Sequence, residues 1–163
     1  MHIVLASDIR PWLGSGWRAV EAQHKVATMR LVHGQLDDQS LLEDILEEVK
    51  PILPVEASGL HWLLSTPFRY CPLRGGSRFR GRDDPGVFYG AENVKTACSE
   101  LGYWRLQMWL DSEGLSAKPA SVQITLFEFH AMTEKSIDLT LSPLSDDRAL
   151  WVDPVNYTHT QKA

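Results

Sequence analysis

The sequence predicts an α+β fold, and three observations carry that prediction. Two segments, near 37–50 and 91–110, place apolar residues at helical spacing, and the last third alternates as strands do. No regular βαβ rhythm orders the mixture, which disfavours a doubly wound sheet. With 163 residues and neither repeat, low-complexity run nor Gly/Ser linker, residues 1–163 are expected to form one domain.

The first clear element is the helix in "DDQSLLEDILEEVK". Leu41, Leu42, Ile45, Leu46 and Val49 form one stripe, Asp37 or Asp38 can cap it, and Pro51 ends it. Glu43, Asp44, Glu47 and Glu48 give it an acidic, solvated outer face. The apolar segment "ASGLHWLLSTPF" is expected to stop near Thr66, because the residue before a proline avoids the helical region. From Arg69 to Gly90 the chain reads as loops and short strands, with a turn at "DDPG" and a short strand at "VFYG".

A second helix opens at Ala91 or Glu92 and runs to about Leu110, with Val94, Ala97, Cys98, Leu101, Trp104 and Met108 along one face. "SVQITLFEF" and "SIDLTL" then alternate, and a turn near Thr133 to Lys135 makes them a hairpin. Asp153 and Pro154 stand where an N-cap and a first helical residue would begin a C-terminal helix.

Composition sets limits on function. Hydrophobic residues at 44% and charged residues at 23% describe an ordinary globular protein. A formal net charge of −5 argues against direct nucleic-acid binding, which favours a positive surplus. No run of eighteen apolar residues indicates a membrane span. The N-terminus has neither the basic region nor the apolar core of a signal peptide, and a cytoplasmic protein is expected. Cys71 and Cys98 are isolated and expected as reduced thiols. The histidines at 2, 24, 33, 61, 130 and 159 never bracket a carboxylate at i,i+4, so no metal site is expected.

The densest chemistry lies in "GSRFRGRDDPGVFYGAENVKTACSELGYWR", residues 76–105. Arg69, Arg74, Arg78, Arg80 and Arg82 fall between positions 69 and 82, interleaved with Gly75, Gly76 and Gly81. Guanidinium groups bind phosphate bidentately and glycines let backbone approach an anion. The same residues also suit a surface cluster neutralised by Asp83, Asp84 and the acidic helix. Tyr70 and Tyr89 offer faces for stacking on a planar ring, or hydroxylated core packing. At about 100° per residue, Glu100 sits just outside the apolar stripe beside Thr96 and Trp104. There it either points into a cleft or stays solvated.

These residues, with "PFRY" (67–70), "GVFYGAENVKTACSELGYWR" (86–105) and "DPVNYTHTQ" (153–161), resemble the RES domain family. The likeness extends upstream through "WRAVEAQHKVATMRLV" and "LLEDILEEVKPILP", to about Trp17. It implies an ADP-ribosyltransferase-like mixed sheet with flanking helices. It also implies a bacterial toxin that breaks the nicotinamide–ribose bond of NAD⁺ by hydrolysis or phosphorolysis. NAD⁺ would be substrate, with no cofactor, and a helix-turn-helix antitoxin of the Xre type would be the partner.

By the resemblance, Arg69 and Tyr70 match the first arginine–tyrosine pair, Arg78 the second arginine, Tyr89 the pocket tyrosine and Glu100 the family glutamate. Arg69 and Glu100 would be catalytic, and Tyr70, Arg78 and Tyr89 would bind substrate. The family's serine follows the helix that "DPVNYTHTQ" begins, whereas this sequence ends at Ala163. A shortened, non-catalytic RES domain and an ADP-ribosyltransferase are therefore the alternative expectations. The sheet edge left by the absent strand is expected to favour self-association.

Overall fold

A computed structural model of the chain describes residues 4–22, 32, 35–70, 76–112 and 121–162. The fold is α+β. Strand β1 (Ile9–Glu21) pairs with strand β2 (Ile124–Ile137) in a two-stranded sheet. The pairing is antiparallel: Ala22 N–H donates to the Gln123 carbonyl (2.9 Å), and the Ser136 hydroxyl donates to the Arg10 carbonyl (2.8 Å). Helices α1 (Leu36–Glu48), α2 (Trp62–Arg69), α3 (Val94–Leu110) and the single turn α4 (Arg148–Trp151) complete the described elements, with short 3-10 turns between them. The chain divides into two compact units, one of Met1–Gly14, Pro51–Phe88 and Ala131–Ala163, the other of Ser15–Lys50 and Tyr89–His130.

Several elements depart from the sequence reading for physical reasons. The expected hairpin at Thr133–Lys135 is absent, because β2 runs straight through it. Thr-Glu-Lys offers no glycine, proline or asparagine to reverse the chain. The alternation simply continues, with Thr125, Phe127, Phe129, Ala131 and Thr133 half-buried and the residues between them exposed. β1 had no counterpart in the sequence reading, since Pro11, Gly14 and Gly16 interrupt its pattern.

"VFYG" forms no strand; only Ala91 makes an isolated bridge, to Trp17. α2 continues past Thr66 through Pro67 to Arg69. Pro67 stands late in a short helix, so its missing N–H removes only one internal bond. The Thr66 hydroxyl donates to the Trp62 carbonyl (2.7 Å) in the same turn.

α1 lies where expected, but Gln35 and not Asp37 or Asp38 occupies its N-cap. Gln39 is the buried residue of this helix and donates to the Glu43 carboxylate (3.0 Å). Leu41, Ile45, Leu46 and Val49 are all exposed, so the apolar stripe is not the seating face.

In the first unit, residues 76–80 and the C-terminal segment hold each other. Ser77 and Arg80 close a tight turn, N–H to carbonyl in both directions (2.8 and 3.2 Å). Gly76 enters that turn at φ 76°. A Cβ there would fall on the Arg80 carbonyl oxygen.

Arg78 Nη1 donates to the carbonyls of Trp151 and Asp153 (2.8 Å each), and its guanidinium lies 4.8 Å from the centroid of the Tyr157 ring. Gln161 Nε2 donates to the Ser77 and Arg80 carbonyls (2.8 and 3.1 Å), and the Thr160 hydroxyl donates to the Arg78 carbonyl. Asp153 does form a cap, accepting from Val155 and Asn156 N–H (2.8 Å each). No α-helix follows; the chain makes turns instead, because its side chains are engaged by the 76–80 turn.

Two outcomes follow for this unit. Gly76→Ala should destabilise the protein by about 2 kcal/mol or more, from left-handed strain plus the carbonyl clash. Gly59→Ala, with nothing within 4 Å, should stay within about 0.5 kcal/mol. Urea unfolding of both variants checks the contrast.

The second concerns acid. Hydrogen bonds from Asn156 and Val155 hold the Asp153 carboxyl below its usual range, with Arg78 and His159 adding to them. A depressed folded pKa means this contribution is present above about pH 4 and lost as pH falls through the folded value. Hydrogen exchange of residues 153–161 should accelerate in that acid window. Asp153→Ala should exchange fast already at pH 7; a variant keeping the wild-type acid transition would show that another group governs it.

Candidate functional site

The site of the second unit starts from one bridge. Trp17 N–H donates to the Ala91 carbonyl (2.7 Å) and Ala91 N–H to the Trp17 carbonyl (2.9 Å). The flanking glycines make this approach possible. A Cβ on Gly16 would stand 2.6 Å from Phe129 Cζ, and one on Gly90 would overlap the same ring. Phe129 therefore occupies the space that two missing side chains leave.

Two residues after the bridge, the Asn93 side chain caps α3, accepting from Thr96 N–H (2.9 Å) and its hydroxyl (3.0 Å). That start sets the phase of the helix. Ala97 is buried beneath it, and Glu100, Leu101 and Trp104 follow at i+3, i+4 and i+7 on the same side. Arg105, one residue on, pairs with Glu21 of β1.

Between β1, the Tyr89–Gly90 segment and α3 lies a cavity of about 250 Å³, lined among others by Trp17, Arg18, Tyr89, Glu100 and Trp104. Arg18 is half-buried and its Nη1 donates to the Tyr89 carbonyl. Burial lowers its guanidinium from the ordinary value, while the Glu100 carboxylate pulls it back up. The site thus holds one cation from β1, one carboxylate from α3, and aromatic walls. Such a set can stack a planar ring and stabilise a positive charge at one end.

The expected residues divide between the units. Tyr89 and Glu100 come together in this cavity. Glu100 lies beside Trp104 as its place on the helical wheel implied. Arg69, Tyr70 and Arg78 belong to the first unit. There Arg69 Nε donates to the Pro51 carbonyl (2.6 Å), Tyr70 is 44% exposed just past α2, and Arg78 holds the C-terminal segment.

Arg80 is buried, with Nε and Nη2 on the Asp84 carbonyl (3.0 and 2.6 Å), which removes it from any anion cradle. Arg74 and Cys71 lie outside the described residues. Among the described residues, no group of three or more His, Cys, Asp or Glu could hold a metal, and no helix is long and apolar enough to cross a membrane.

Arg18, Trp17 and Trp104 escaped the sequence reading as site residues. Arg18 sits alone in a strand, outside the arginine cluster that drew attention. Trp104 falls on the apolar stripe of the sequence, yet it is 54% exposed and forms cavity wall. The available signal was its position four residues after Glu100 on one helical side.

No curated protein matches the chain. The RES domain family model matches residues 53–163, which take in "PFRY", "GSRFR", "GVFYG", Glu100 and "DPVNYTHTQ". That span is more than half of the sequence, and the chain belongs to the RES domain family.

Proposed function

We propose that this RES domain degrades NAD⁺ by cleaving its nicotinamide–ribose bond, as a toxin of the cytoplasm held in check by an antitoxin of the Xre helix-turn-helix type. The observation that carries the reading is the meeting in one aromatic-walled cavity of Tyr89 and Glu100, which the resemblance matches to the family's pocket tyrosine and glutamate. Its volume of about 250 Å³ suits a ring and part of a sugar better than a whole dinucleotide. On this reading the nicotinamide end enters and stacks on Tyr89.

The C1′–N1 bond breaks and its electron pair goes to the ring nitrogen, so nicotinamide leaves neutral. C1′ becomes an oxocarbenium-like cation, which the Glu100 carboxylate stabilises. Water attacks C1′ and passes a proton to Glu100; with phosphate as nucleophile the same carbon is attacked. We propose further, from the family resemblance, a catalytic role for Arg69, substrate binding by Tyr70 and Arg78, and an ADP-ribosyltransferase-like fold.

Glu100→Gln should lower NAD⁺ loss by at least about 100-fold, in phosphate and in phosphate-free buffer, while NAD⁺ binding changes less than about threefold. NAD⁺ loss followed by chromatography and binding followed by calorimetry separate the two. Joint loss of both in a folded variant would remove Glu100 from the catalytic role.

A further inference from the structure

The cavity holds a charged group for which the proposed reaction has so far had no use. Arg18 enters from β1, half-buried, and its Nη1 bonds to the carbonyl of Tyr89, the residue on which the ring would stack. The cavity that would take the ring therefore also holds the Arg18 guanidinium. Glu100 enters from another element, the second turn of α3. Arg18 also lies upstream of residues 53–163, so the family match says nothing about it.

The charge of the ring changes in the reaction. A pyridine ring bonded to ribose through nitrogen is a cation; once the bond breaks, it is neutral. We infer that Arg18 makes this cavity select the neutral, departed ring over its N-substituted cationic form, and so drives charge from the ring toward the sugar carbon at Glu100. This inference rests on the NAD⁺ reading above.

The selection is Coulombic. A cationic ring beside Arg18 is repelled, and partial burial leaves less water to screen that repulsion. As the C1′–N1 pair moves onto the ring nitrogen, the repulsion vanishes and positive charge appears at C1′. On this reading Arg18 faces the ring and Glu100 faces C1′, so the pair favours movement of electrons toward the ring. The guanidinium keeps its charge throughout, since arginine does not deprotonate in this setting despite its lowered value. Raising the ground state of the substrate and relaxing it in the transition state increases kcat without tightening substrate binding.

Two small ligands test this without any turnover: nicotinamide, which is neutral, and 1-methylnicotinamide, which carries the pyridinium charge. Trp17 and Trp104 line the cavity, so tryptophan fluorescence reports occupancy. The wild-type protein should bind nicotinamide about tenfold more tightly than 1-methylnicotinamide, a modest remainder of like-charge repulsion after Glu100 has offset part of it. Arg18→Met should bring the ratio to about threefold or less, and Arg18→Lys should preserve it. Kinetically, Arg18→Met should lower both kcat and KM for NAD⁺, a combination that simple loss of structure does not give.

Equal binding of the two rings by the wild type, tighter binding of 1-methylnicotinamide, or failure of nicotinamide to bind overturns the inference even if no variant folds. So does an unchanged ratio in folded Arg18→Met. A wild type that discriminates between the rings yet leaves NAD⁺ intact upholds the charge selection and overturns the NAD⁺ reading.

Discussion

The site of the second unit depends on how closely β1 can approach the segment before α3. The reciprocal Trp17–Ala91 hydrogen bonds fix that distance, and Phe129 permits it by lying over two glycines. Everything chemical is reckoned from this bridge. One residue along β1 brings Arg18 to the Tyr89 carbonyl, and two residues along the facing segment bring Asn93 to cap α3. The cap then sets which side of the helix carries Glu100. A side chain at Gly16 or Gly90 would displace the ring first, and the cavity with it.

The first unit uses arginine differently. Arg69, Arg78 and Arg80 all direct guanidinium N–H groups at backbone carbonyls. The guanidinium meets acceptors that irregular backbone leaves over: Arg78 reaches two carbonyls from Nη1, and Arg80 holds one carbonyl with Nε and Nη2. This matters where few large apolar side chains are buried: Ala57, Leu144 and Trp151 are the buried hydrophobic residues described there. Trp151 is itself tied by its indole N–H to the Leu144 carbonyl (2.7 Å). Order in the 76–80 turn and the C-terminal segment thus comes from reciprocal hydrogen bonds more than from apolar burial. Arg78 is the group common to both halves of that exchange.

The local chemistry in the sequence was readable where one residue decides it. Helical periodicity located α1 and α3 within a few residues, and the position of Glu100 beside Trp104 followed from 3.6-residue geometry alone. The family motifs were legible because they keep order and spacing. What the sequence hid was set by contacts distant along the chain. β1 is broken by proline and glycine in its own pattern, and becomes a strand through pairing with β2 more than one hundred residues later. The Asp153 cap was legible, but the helix it would open yields to the bonds from Gln161 and Thr160.

The same contrast explains why Arg18 was invisible and Arg78 conspicuous. A cluster such as residues 69–82 announces itself by composition, yet composition cannot say whether a guanidinium meets a ligand or a carbonyl. A lone arginine in a strand announces nothing, although a strand residue half-buried beside a carboxylate is where charge has the greatest effect. Screening weakens a cation in proportion to its access to water, so the exposed Arg82 does not outweigh an arginine half-buried in a cavity. The number of charges near a motif is therefore a poor guide to the field at the reacting bond. That field is set by which charges the backbone brings out of water, and here the Trp17–Ala91 bridge brings in Arg18.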